Sequence, residues 1–256
     1  MRSGSLSAAG AEEKKSCVQE NAEREMKTYK CLFFDLDRTL WDVETNQREA
    51  QRILYEKYGL ERYCPGFDAY FDAYLEINDR LWLGYRDGTV TREYLRNHRF
   101  TELLGRFGVR NLKLAIRLGN DYIRLAPTFR NLMPHARETV EYLYGRGYPM
   151  DIVTNGFDEV QHVKLANCGL GRFFRHVICS EKAGANKPDP RIFRYALRKA
   201  GVGAGEALMI GDDPENDMEG AIGAGIDTVY YHPTGTPHGL GVTWEIRDLS
   251  RLREIL

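Results

Sequence analysis

The sequence predicts an α/β fold: a parallel sheet with helices on both faces and an all-helical insertion between its first and second strands. Three observations predict it. Past Pro134, short apolar runs alternate with segments of helical period, the signature of strand–helix–strand units. Far upstream, Cys31-Leu32-Phe33-Phe34 is apolar throughout, as a parallel strand buried on both faces must be. Between the two, over 45–128, no stretch reads as a strand.

The elements follow in order. Residues 1–27 are rich in Ser, Ala, Glu and Lys without apolar periodicity, and a flexible tail is expected there. Met26, near its end, is a candidate translation start. The first strand opens a core expected to comprise 28–44 and 129–256. In the insertion, Ala50, Ile53, Leu54 and Tyr58 recur at helical spacing, as do Phe67, Tyr70, Phe71, Tyr74 and Leu75. Tyr94, Leu95, Phe100, Leu103, Leu104 and Phe107 make a third series, and Leu112, Ala115, Ile116, Leu118 and Tyr122 a fourth. Four helices with Gly- or Pro-marked joints read as a bundle, expected to lie over the carboxyl ends of the strands. Beyond it, a helix over 135–144 leads to a strand over 150–153, and a helix over 158–168 to a strand at His176–Cys179. A helix at Pro190–Ala200 leads to a strand over 207–210, and a short helix after Pro214 to a strand at Asp227–Tyr231.

Bulk properties narrow the function. With 256 residues, 43% hydrophobic and 29% charged, the chain has the composition of an ordinary globular protein. A net charge of −1 gives no general attraction to nucleic acid or to an anionic membrane. An anionic ligand must therefore be held by local groups. No apolar stretch approaches the ~20 residues of a spanning helix. The amino end, with Glu12-Glu13-Lys14-Lys15, lacks a secretory apolar block. Five scattered cysteines show no metal-ligand spacing, so reduced thiols in a cytoplasm are expected.

Four short segments carry the chemistry, each at an expected strand end or loop. They are Asp35-Leu36-Asp37-Arg38-Thr39, Thr154-Asn155-Gly156, Lys187-Pro188, and Gly211-Asp212-Asp213 with Asp217 beyond. Parallel strands bring such ends to one edge of a sheet, so all four are expected to converge. Asp35 can attack phosphorus and form an acyl-phosphate, and Asp37 can give and take a proton. Asp35, Asp212 and the Asp37 carbonyl offer hard oxygen ligands to Mg²⁺. Thr154, the Asn155 amide and Lys187 suit the phosphate oxygens. To act as an acid near neutral pH, Asp37 is expected to have a raised pKa. Asp213 reads equally as a water-mediated metal contact or a helix cap. Asp217 is expected to support the metal waters or Lys187. Taken singly, each segment also reads as a turn or a cap; their order along the chain favours the joint chemical reading.

In that order, the four segments resemble the motifs of the haloacid dehalogenase (HAD) superfamily of phosphohydrolases, over nearly everything from Thr28 to Leu256. The resemblance implies a Rossmann-like core with an inserted helical cap, Mg²⁺ as cofactor, Asp35 as nucleophile and Asp37 as general acid/base. The second Asp argues for a phosphatase rather than a dehalogenase. The stretch from Phe34 to Asp42, the cap stretch from Leu81 to Gly88, and Thr154-Asn155-Gly156-Phe157 with Glu159-Val160-Gln161 are similar to the pyrimidine 5′-nucleotidase subfamily. That likeness implies a small phosphate ester, a nucleoside monophosphate, as the partner, with no nucleic acid and no membrane. It leaves monomer and homodimer open. Trp41 is the better candidate for lining the substrate pocket. Trp82, Tyr85 and Arg86 could meet a base or simply pack within the bundle. Competing readings are a sugar-phosphate phosphatase, a phosphomutase, or a non-enzymatic phospho-acceptor domain.

Overall fold

The computed structural model describes residues 27–256, so the expected tail lies, apart from Lys27, outside the described residues. The strands are β1 Cys31–Phe34, β2 Met150–Thr154, β3 His176–Cys179, β4 Ala207–Gly211, β5 Asp227–Tyr231 and β6 Trp244–Ile246. They form one sheet, parallel throughout, in the order β3-β2-β1-β4-β5-β6. Every residue of β1, β2 and β4 is buried; β1 and β4 accordingly read as apolar runs, whereas β2 carries Asp151, whose buried carboxylate accepts bonds from Arg175 and His176. The strand order reverses between β1 and β4, and such a switch point opens a crevice at the carboxyl edge. Phe34 stands beside Ile152 and Ile210, so the chain leaves β1, β2 and β4 at the same edge with Asp35, Thr154 and Asp212.

β6 was not expected from the sequence. It is three residues long with exposed Glu245 at its centre, so no apolar run marks it; it adds to the sheet beside β5. The remaining strands fall where the apolar runs placed them, within one residue at either end.

Seven longer helices accompany the sheet. The insertion holds α1 Val43–Lys57, α2 Phe67–Arg86, α3 Arg92–Arg106 and α4 Leu112–Leu125. The core adds α5 Ala136–Gly145, α6 Asp158–Asn167 and α7 Pro190–Ala200. Successive strand residues point to opposite faces, so one sheet carries two apolar layers. Leu32, Phe34, Ile152 and Ile210 pack with Val140 and Leu143 of α5 and Leu165 of α6. Phe33, Val153 and Met209 pack with Ile192, Phe193 and Ala196 of α7.

The insertion buries an apolar cluster of its own, including Leu54, Tyr70, Tyr74, Phe100, Leu103 and Leu118. Three of its four helices begin at polar side-chain caps; α2 starts after Gly66 without one. Asp42 accepts a bond from Thr45 N at 2.9 Å, Thr91 from Tyr94 N at 3.1 Å and Asn111 from Leu114 N at 3.0 Å. Ile53, Tyr94, Leu112 and Ile116, counted in the apolar periodicity, are exposed instead: the series are wider than the face each helix buries. Phe157 of the core joins the insertion's cluster and anchors the two layers to each other. The two chain segments that enter and leave the insertion are cross-linked. Asn46 Nδ2 donates to Asn131 O at 2.9 Å, Asn131 N donates to Asn46 Oδ1 at 3.1 Å, and Trp41 Nε1 donates to Phe129 O at 3.2 Å.

Candidate active site

After β1 the chain alternates once more: Leu36 is fully buried, which leaves Asp35 and Asp37 flanking it on the other side, toward the crevice. The strand then ends in a tight turn at Arg38, whose φ of 67° lies in the left-handed region that non-glycine residues seldom adopt.

The charges at the strand ends are tightly connected. Lys187 Nζ, almost fully buried, donates to Asp35 Oδ1 at 2.6 Å, to Asp217 Oδ1 at 2.5 Å and to Val153 O at 2.9 Å. Those three bonds use every proton an ammonium carries. Asp212 Oδ1 accepts from Thr39 Oγ1 at 2.6 Å, tying the fourth segment to the first. Gly211 makes room for this cluster: a Cβ there would lie 2.3 Å from Asp217 Oδ2. Carboxylate oxygens of Asp35, Asp212 and Asp217 lie within 4.8 Å of one another.

Crowding and burial act on these groups in one direction. Burial, chiefly, raises the Asp35 pKa well above the usual carboxylate range despite Lys187. Burial and the Asp217 charge push Asp212 up to about 7. Lys187 is held above its ordinary value, because Asp217 and Asp35 outweigh the burial that opposes its charge. Three crowded carboxylates meet a single ammonium, and their donors are hard oxygens; this set fits a small dication such as Mg²⁺.

Asp37 differs from expectation. Burial would raise its pKa, but the Lys164 ammonium at 2.5 Å and the Gln161 amide at 2.9 Å win, and the carboxyl is held below its usual range. Neither partner had been given a role from the sequence. Both project from α6, three residues apart on one helix face, and a lysine on the helix after Thr154 was the available signal. Gln161 reaches Asp37 through space that a side chain at Gly156 would fill: a Cβ there would lie 1.6 Å from Gln161 Nε2.

Asn155 also differs. Its Oδ1 accepts from Lys187 N at 2.7 Å and its Nδ2 donates to Lys187 O at 3.0 Å. The side chain expected to hold phosphate is thus committed to clamping the Lys187 loop. Thr154 accepts from Gly156 N and Gln161 Nε2 and keeps its own hydroxyl proton to donate. Asp213 is a helix cap, accepting from Glu215 N at 3.1 Å and Asn216 N at 2.9 Å. Asp217 contacts Lys187, as one of the two expected readings had it.

A cavity of about 420 Å³ lies over this cluster. Asp35, Asp37, Thr154, Lys187 and Asp212 form its floor, and Asn78, Trp82 and Arg99 reach it from the insertion. Trp41 lines it, with Lys164 Nζ 4.3 Å above the Trp41 ring. Arg86 lines it too, whereas Tyr85 packs edge-on to Phe157 at 5.4 Å.

Fold and cluster together define a helix-capped α/β hydrolase. The chain belongs to the haloacid dehalogenase-like hydrolase family, whose model matches residues 29–225. Within that family it is a phosphatase, which sets aside the non-enzymatic reading. It is 31% identical to the pyrimidine 5′-nucleotidase YjjG of Escherichia coli, over 88% of this chain and 96% of that one. It is likewise 31% identical to a glyceraldehyde 3-phosphate phosphatase of Pyrococcus furiosus, over 80% of this chain and 82% of that one. Among solved structures, the magnesium-bound HAD-hydrolase YfnB of Bacillus subtilis superposes with a TM-score of 0.80 at 31% identity, covering 90% of this chain and 99% of that one. No helix among the described residues is long and apolar enough to cross a membrane.

Proposed function

We propose that this phosphatase is a Mg²⁺-dependent pyrimidine nucleoside 5′-monophosphate hydrolase that works through an aspartyl-phosphate at Asp35. The observation that carries the reading is Asp35 itself: buried, bonded through one oxygen to Lys187, and facing a cavity large enough for a nucleotide. Asp35, Asp212 and the Asp37 carbonyl are the proposed metal ligands. A bound Mg²⁺ would supply the positive charge that keeps these carboxyls ionised and neutralises phosphate oxygens.

The protein's own groups do the rest. Lys187 holds Asp35 at a fixed angle and offers charge to the transferring phosphoryl group. Thr154 Oγ1–H and the backbone N–H of Asn155 donate to its oxygens. Asp37 protonates the leaving alkoxide, then removes a proton from the water that cleaves the acyl-phosphate. The arrangement with Lys164 favours the carboxylate, the form Asp37 needs in the second half. To carry a proton in the first half it must exchange Lys164 for the leaving oxygen. The helical insertion, proposed to span 45–128 as a cap on the core of 28–44 and 129–256, would exclude water while this happens.

The test is phosphate release from UMP, dTMP, glyceraldehyde 3-phosphate and phosphoserine, with Mg²⁺ and after chelation. The nucleotides should show the highest kcat/KM, and chelation should abolish turnover until Mg²⁺ is restored. A sugar phosphate as the best substrate would favour the second reading, for which the Pyrococcus relative speaks. Phosphate migration instead of release would indicate a mutase.

A further inference from the structure

The roof of the cavity holds two buried polar atoms with no hydrogen-bond partner among the described residues. Asn78, on α2, is 3% exposed and its Oδ1 has no hydrogen-bond partner; its Nδ2 donates to Asp79 Oδ1 at 3.3 Å. Arg99, on α3, is 6% exposed and its Nε is likewise unpartnered. Among the described residues, the Arg99 guanidinium makes no ion pair; its Cζ lies 5.2 Å from the centre of the Tyr122 ring. Leaving buried polar atoms unpaired is costly, and where they persist they commonly await a ligand. Both side chains line the cavity whose floor holds Asp35 and Lys187.

The two orphans have opposite polarity. One is an acceptor in need of a donor, the other a donor in need of an acceptor. A second phosphate or a bare carboxylate answers only Arg99, since neither brings a proton to Asn78. A ring with a carbonyl next to an N–H answers both. Trp82 and Tyr122 also line the cavity, and aromatic side chains suit packing beside such a ring.

We infer that Asn78 and Arg99 read the base of the nucleotide: Asn78 Oδ1 accepts from N3–H of a uracil or thymine ring, and Arg99 donates to a neighbouring carbonyl oxygen. This rests on the nucleotidase reading and assigns its specificity to two residues outside the catalytic segments. Arg99 carries the larger share, because a hydrogen bond from a charged donor is worth more than a neutral one.

The experiment compares kcat/KM for UMP, 3-methyl-UMP, GMP, ribose 5-phosphate and phosphoserine, using wild type, Asn78→Ala, Arg99→Met and Arg99→Lys. Wild type should process 3-methyl-UMP about 10- to 100-fold less well than UMP. Asn78→Ala should shrink that ratio toward one, because the blocked proton no longer has an acceptor to lose. Arg99→Met should lower the preference for UMP over ribose 5-phosphate by about 10- to 100-fold, with partial recovery in Arg99→Lys. The 3-methyl comparison needs no variant, so it stands even if one fails to fold. Equal use of UMP and 3-methyl-UMP by wild type overturns the inference while leaving a nucleotidase in place. So does a preference for GMP over UMP, or a UMP to ribose 5-phosphate ratio unmoved in a folded Arg99→Met. Phosphoserine as best substrate, lost in Arg99→Met, would assign Arg99 to a carboxylate instead. Turnover of sugar phosphates with none of nucleotides would overturn the nucleotidase reading itself.

Discussion

The floor and the roof of the cavity are built on opposite principles. At the floor, Lys187 spends all three of its protons on protein oxygens, and Thr39, Asn155 and Gln161 fix the groups around it. At the roof, Asn78 Oδ1 and Arg99 Nε are buried without partners. A floor wired in advance suits a reaction whose charges always appear in the same place. A roof left unsatisfied suits recognition, because only the right ligand completes it.

The sharpest way to break the contrast is at the nucleophile. Asp35→Asn should lower phosphate release by more than about 1,000-fold with the fold intact by circular dichroism; turnover near wild type would remove covalent catalysis from the account. Next comes a matched pair of charge removals, each read by urea denaturation. Lys187→Met strands Asp35 and Asp217 without their cation and should destabilise the protein by about 3–5 kcal/mol. Arg99→Met removes a buried charge that has no carboxylate partner among the described residues, and stability should hold or rise. Equal losses from both would erase the distinction between the two ends.

Lys164→Met is expected to be milder. It frees Asp37 from its ion pair and strips the cation from Trp41, and kcat should fall about tenfold, part of what a positioned acid–base group contributes. An unchanged kcat would make Lys164 a bystander. The smallest effect lies outside both ends, at Asp158. Burial would raise its pKa, yet bonds from Lys182 Nζ at 2.6 Å and from Cys179 hold it below the usual value. A depressed carboxyl stabilises the fold above the unfolded-chain pKa of about 3.9 and loses that contribution as pH falls through the folded value. Thermal melts of Asp158→Asn should therefore show a shallower decline below pH 4 than wild type.

How much could be read beforehand divides along the same line. Strand ends are local features, marked by an apolar run followed by Asp or Thr-Asn; each alone reads as a turn or cap, and Asp35, Thr154, Lys187 and Asp212 became legible as a site only through the order of their segments along the chain. The direction of the Asp37 pKa was not, because it depends on Lys164, 127 residues away along the chain. The Asn155 side chain was assigned to phosphate by its chemical type, and only the path of the Lys187 loop shows that both its polar atoms are occupied. In the insertion, periodicity found the four helices but could not tell Ile116, exposed, from Leu118, buried, since both are aliphatic. Asn78 and Arg99 belong to no segment the sequence singled out; their interest comes from buried atoms without a partner, which have no signature in a linear sequence.

The Asn46–Asn131 clasp bears on how substrate gets in. Two independent tethers would let the helical block swing, slide and twist over the sheet. Tethers sewn to each other beside Trp41 share one bending line, so the block can tip away from the crevice and return but has little freedom to rotate about its own axis. A phosphate ester would then enter through a mouth that widens in a single direction, and each closure would bring Asn78 and Arg99 back to the same height above Asp35.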